Sequence, residues 1–272
     1  TWVAGSVLDV APELRPEGAA DAGSELQDLF EELQSNANVF EDRKSLPWIR
    51  YHNAGRYSLV CCPTDNSRLP LIARKDVVVR FPRPSLTHLA PAEEVATELA
   101  NLLEAARGNF GPGIVAAVAQ IYLPGSATLM VCMDRADSTL YESTNHADND
   151  HSAASWKPHL LHVAGLLRDT VFAFSSRCVL FLDCSPGNFL LRGTLGACTD
   201  VLVSDLDPQL YRRTQESAET CLLLNLLMVG AHIKKHATGE FAAAWRSAPT
   251  GTRTLFDFVA ALPRTGLALV AW

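Results

Sequence analysis

No stretch of this chain approaches the roughly 20 consecutive apolar residues that a membrane-spanning helix requires, so no membrane span is expected. No C-x-x-C pair occurs, which removes the usual spacing of zinc ribbons and thioredoxin-type redox sites. Basic residues never form a block of five, and the net charge is −7, from 23 Lys+Arg against 30 Asp+Glu. A dedicated nucleic-acid binder would carry a basic footprint, so no nucleic-acid partner is expected. Internal repeats are absent. What is present is an ordinary globular balance, 48% hydrophobic and 19% charged, in 272 residues. That length suffices for one large domain or a two-lobed one.

The 7 cysteines are Cys61, Cys62, Cys132, Cys178, Cys184, Cys198 and Cys221. Their number is odd, their spacing is irregular, and most sit inside apolar runs. Reduced, buried thiols in an intracellular compartment are expected rather than a disulfide framework. The organelle is left open, because a leader ahead of Thr1 could have been removed.

Residues 1–45 read as an irregular arm with one short amphipathic helix. Leu26, Leu29, Phe30 and Leu33 recur at helical spacing behind a possible Ser24 cap. From Trp48 the pattern turns to strands. Trp48–Tyr51, Tyr57–Cys62 and Val77–Phe81 are rich in β-branched and aromatic residues and are separated by turn formers. Pro91–Arg107 reads as a helix, with Val95, Leu99, Leu102 and Leu103 as its buried stripe. Two further strands follow, Ile114–Leu123 and Thr128–Met133, and then a polar, turn-like stretch to Thr139. The loop at 146–155 holds His146, Asp148, Asp150 and His151, but without the helical i, i+4 spacing of strong metal sites, and it reads as a solvated loop. Trp156–Ser175 and Glu219–Lys235 are two more helices, with short strands between them.

Those short strands frame the chemistry. Asp183-Cys184-Ser185-Pro186-Gly187-Asn188 lies between two of them, and Asp205 ends the next, in Ser204-Asp205-Leu206-Asp207-Pro208. Phosphoryl transfer needs such a set. One carboxylate orients or deprotonates the attacking hydroxyl, while an amide oxygen and a second carboxylate hold Mg²⁺ against the phosphates. The bland alternative is that Asp183 and Asn188 only cap a turn.

The two loops resemble the catalytic loop (H-R-D-x-x-x-x-N) and metal loop (D-F-G) of the protein-kinase superfamily. The Pro-Gly-Asn ending is also similar to aminoglycoside- and choline-kinase-type phosphotransferases. The resemblance spans roughly Trp48 to Lys235. It implies an α+β, bilobal protein-kinase-like fold, with a small antiparallel-sheet lobe carrying one helix (46–133) and a mainly helical, abbreviated second lobe (134–272). It further implies Asp183 as the catalytic residue, and Asn188 and Asp205 as metal ligands. Arg80 in Val77-Val78-Val79-Arg80 takes the place of the nucleotide-binding Lys, and Glu98 that of its helix partner, with Glu94 second. Met130–Asp134 corresponds to the strand running into the hinge, where backbone groups of Cys132 to Asp134 would hold adenine.

Several parts depart from the family pattern. Arg is not a neutral exchange for Lys, because its planar fork binds differently. Asn53–Ser58 has one glycine where the family has a glycine-rich phosphate loop. Phe181 and Leu182 stand where His and Arg precede the catalytic Asp, and Asp207 replaces the Gly of D-F-G. Ser185 stands at the usual Lys position, and no A-P-E signature follows. A first function and an alternative to it are therefore expected. One is a pseudokinase acting as a binding or scaffolding module with protein partners and no cofactor. The other is an active atypical kinase of protein or small-molecule type, using ATP and Mg²⁺.

Overall fold

The computed structural model describes residues 28, 31–32, 35–36, 39, 42–54, 58–64, 76–82, 90–122, 126–146, 153–250 and 253–254. Most of the expected N-terminal helix, residues 55–57 of the Asn53–Ser58 turn, and the 147–152 part of the His/Asp loop lie outside the described residues. The fold is α+β, and its elements follow the kinase-like order expected from the sequence. The chain divides into two compact units, Thr1–Leu103 with Gly113–Arg135, and Glu104–Pro112 with Ala136–Trp272. Residues 104–112 thus cluster with the second unit, and Asp134 and Arg135 with the first. Among the described residues no helix is long and apolar enough to cross a membrane.

The first unit is an antiparallel sheet. Its strands are β1 (Ile49–Ala54), β2 (Ser58–Pro63), β3 (Val77–Pro82), the two-residue β4 (Ala90–Pro91), β5 (Ile114–Tyr122) and β6 (Ser126–Asp134). β1, β2, β3 and β6 lie side by side in that order, and β6 also pairs with β4 and β5. Helix α1 (Ala92–Arg107) is inserted between β4 and β5. Strand alternation sends every second side chain to one face. Ile49, Leu59, Cys61, Val77, Val79, Phe81, Met130 and Cys132 therefore form one buried cluster, with Leu46, Trp48, Tyr51 and Val115 packed against it. The same alternation turns Arg80 away from that cluster, to the opposite face of β3. α1 buries Val95, Leu99 and Leu102 at the expected helical spacing.

The second unit begins with β7 (Ser138–Thr139), α2 (Leu140–His146) and the long α3 (Ala153–Ser175). Then come β8 (Val179–Phe181), β9 (Phe189–Arg192), β10 (Asp200–Val203) and β11 (Tyr211–Arg213). Helices α4 (Ala218–His236) and α5 (Gly239–Ser247) and the small pair β12 (Pro249–Thr250) and β13 (Arg253–Thr254) complete it. The turn-like stretch expected up to Thr139 contains β7, which pairs with β9. α4 starts at a true cap, since Ser217 accepts from the Thr220 N–H. α3 packs Val163, Ala164, Leu167, Val171 and Phe174 into the interior.

The candidate functional site

The expected residues fall on both units, and each group is described within its own. In the first unit, β3 delivers Arg80 and α1 delivers Glu98. The two side chains form an ion pair through Arg80 Nη2 and Glu98 Oε1 and are mostly shielded from solvent. Two positions 18 residues apart, paired in the sequence by the family resemblance, meet in space. Cys132 puts its thiol in the core cluster, and its main chain lies between Val79 of β3 and Ala116 of β5. Asp134 is the last residue of β6. Its backbone N–H donates to the Gly113 carbonyl at 2.8 Å, so this expected adenine donor is already engaged. A Cβ at Gly113 would meet the Asp134 carboxylate, so a side chain there would require that carboxylate to move.

In the second unit, the Asp183 loop ends in a 3-10 turn over Pro186–Asn188. Proline at the start of that turn has its φ already set. Asn188 stitches the loop together. Its Nδ2 donates to the Asp183 carbonyl at 3.1 Å and its N–H to Ser185 O at 2.9 Å. Its own carbonyl accepts from both the N–H and the Oγ of Ser204, at 3.0 and 3.2 Å. β9 and β10 pair antiparallel from this point, Phe189 opposite Val203. Asp205 follows Ser204 directly. Asn188 and Asp205 are thus set from two loops bound to each other, and Asn188 Oδ1 takes no hydrogen bond among the described residues. The Asp183 carboxylate is half-buried and likewise accepts none.

The chain after Asp205 is also tied back. Leu206, at the aromatic position of the family motif, is fully buried. Asp207 Oδ1 accepts the Gln209 N–H at 2.7 Å and its carbonyl accepts the N–H groups of Leu210 and Tyr211, which closes a tight turn. Aspartate suits such a turn, because its side chain accepts from the backbone two residues on. β11 then pairs with β8, Tyr211 opposite Phe181, and Leu182 N–H donates to Leu210 O at 2.7 Å. Phe181 is held by packing. Its ring meets those of Phe174, Phe189 and Tyr211 edge-on at 5.9–6.2 Å. Cys184, next in the loop, is buried and donates to Phe181 O. Burial, and then the adjacent Asp183 charge, push its thiol far above the ordinary range, so it stays protonated.

Two residues that serve this site were missed by sequence reasoning. Asn225 is fully buried in α4. Its Oδ1 accepts Phe181 N–H at 3.0 Å, and its Nδ2 donates to Val179 O at 2.7 Å and Ser175 Oγ at 2.9 Å. It therefore fixes the strand that leads into Asp183. Its signal was a lone amide in the apolar run Leu222–Val229. Glu104, in the last turns of α1, accepts from Arg213 Nη2 of β11 at 2.6 Å and lies 3.5 Å from Arg177 Nε. Arg177 in turn stacks on Phe110, its Cζ 4.9 Å from the ring centre. Nothing in local spacing marks a pair 109 residues apart.

Among the described residues no group of three or more His, Cys, Asp and Glu side chains is arranged to hold a metal ion by itself. An Mg²⁺ shared with phosphates needs fewer protein ligands, and the oxygen donors of Asn188 and Asp205 are the chemistry it prefers. No protein-family model matches the chain. No curated protein matches it either. One solved structure, described as WaaP in complex with acyl carrier protein, is 13% identical. The match covers 91% of this chain and 92% of that one, with a TM-score of 0.48, too loose a likeness to assign an activity.

Proposed function

We propose that this chain is a kinase-like domain that binds ATP with Mg²⁺ and acts as an atypical phosphotransferase. Asn188 carries the proposal. Its amide nitrogen is committed to Asp183 and its backbone carbonyl to Ser204, which leaves Oδ1 as an oxygen ligand beside the loop of Asp205. When bound there, Mg²⁺ would neutralise phosphate oxygens and orient the transferring group. Asp183, with a carboxylate not engaged by the described residues, accepts the hydrogen bond and then the proton of the acceptor hydroxyl. Arg80, held by Glu98, offers a guanidinium to phosphate in place of the family's Lys.

The second proposed function is a pseudokinase scaffold with a protein partner. It is favoured by Leu182, which is 41% exposed where the family has Arg, and by the single glycine of Asn53–Ser58. Turnover of ATP separates the two. Purified chain with ATP, Mg²⁺ and panels of protein and small hydroxyl acceptors should release or transfer phosphate. Asp183→Ala should lower the rate by about 100-fold or more while nucleotide binding persists. Turnover that survives Asp183→Ala would place the chemistry elsewhere. Absent turnover, together with a stable complex indifferent to nucleotide, would favour the scaffold.

A further inference from the structure

α4 ends on His232-Ile233-Lys234-Lys235-His236, and neither histidine belongs to any group described above. Residues four apart on a helix share a face, one turn above the other. The two rings accordingly stand together, with centroids 5.9 Å apart and planes 33° from parallel. His232 is half-buried and His236 is exposed. Nδ1 of His232 is shut off from solvent and has no hydrogen-bond partner among the described residues. That leaves Nε2 as the nitrogen of this ring able to meet an ion arriving from water. The two lysines between the histidines are both exposed. Helical spacing sets Lys234 on the opposite face, and the long stem of Lys235 carries its charge out into solvent. The free carbonyls of the last helical turn form a negative pole that favours a cation.

We propose that His232 and His236 form a two-nitrogen site for a divalent transition metal of the zinc class. Imidazole nitrogen suits Zn²⁺, Cu²⁺ and Ni²⁺, whereas Mg²⁺ prefers oxygen. The site is therefore chemically distinct from the Mg²⁺ position proposed at Asn188 and Asp205, and it does not rest on the nucleotide reading. A metal stands about 2.0–2.1 Å from an imidazole nitrogen, which puts two rings on one ion with centres roughly 5–6 Å apart. The observed pair already has that separation. No third His, Cys, Asp or Glu completes a metal cluster among the described residues, so water fills the remaining positions. Spanning one turn, the metal clips the end of α4 just ahead of Ala237, where the helix stops.

Calorimetric titration of Zn²⁺ into the whole, untagged, reduced chain tests the site, with wild type, His232→Gln and His236→Gln side by side. Wild type should take up Zn²⁺, and each variant should lose one equivalent or bind it at least about tenfold more weakly. Native hydrogen exchange adds a local readout. With free Zn²⁺ at about ten times its dissociation constant, exchange of the backbone N–H groups of residues 233–237 should slow about tenfold in wild type and stay unchanged in both variants. His236 is exposed, so the His236→Gln result stands even if His232→Gln does not fold. The proposal is overturned if wild type takes up no Zn²⁺ at millimolar concentration, if His236→Gln matches wild type in uptake, or if Zn²⁺ leaves exchange at residues 233–237 unchanged in wild type.

Discussion

Asn188 uses its side chain and main chain for different tasks. The amide nitrogen and the carbonyl build the loops, and Oδ1 takes no hydrogen bond among the described residues. Asn188→Asp keeps an oxygen but loses the donor to Asp183, and it adds a charge. It should weaken the loop by about 1 kcal/mol, read as a lower urea midpoint. Gly193 is a sharper case, at φ +91 where the β9–β10 connection turns. A Cβ there would collide with the Ala197 carbonyl. Gly193→Ala should cost about 2 kcal/mol, and an unchanged urea midpoint would contradict that. The thiols add a pH dependence. Burial pushes Cys61 up to about 12 and Cys198 up to about 11, from an ordinary 9.0. In the unfolded chain these thiols ionise near 9, whereas in the fold they hold their protons longer. Their contribution to stability is therefore full below pH 9 and declines as pH rises through 11 to 12. Urea midpoints should fall across that window, and Cys61→Ala should flatten part of the slope.

Among the elements, β8 matters most, because it aims Asp183. It is held on one side by β11 and on the other by Asn225 of α4. Asn225→Leu keeps the volume but strands the Phe181 N–H, the Val179 carbonyl and the Ser175 hydroxyl. The expected loss is about 2–4 kcal/mol by urea unfolding, together with a reduced rate if the chain turns over ATP. The strands and helices themselves were legible, because period-2 and 3.6-residue patterns are local. The meeting of Arg80 with Glu98 was legible through the family resemblance and the inward face of α1. β11 was not foreseen. Its three residues, Tyr211–Arg213, have too little pattern to mark a strand, and they become one only by pairing with β8. Asn225 and Glu104 escaped for a related reason. Their partners are distant in sequence, and only the tertiary fold brings them within reach.

At the scale of the molecule, each unit carries its own share of the residues proposed to bind nucleotide. The first holds Arg80 with Glu98, and the second holds Asp183, Asn188 and Asp205. The proposed function requires nucleotide affinity to depend on the cation. Isothermal titration of ATP into the intact chain, with and without Mg²⁺, tests this most directly. Wild type should bind ATP with Mg²⁺ at least about tenfold more tightly than ATP alone, a difference near 1.4 kcal/mol. Asp205→Ala should erase that gain, while Arg80→Met weakens ATP binding in both conditions. Failure of wild type to bind ATP at millimolar concentration, or an Mg²⁺ dependence that survives Asp205→Ala, would contradict the proposed site.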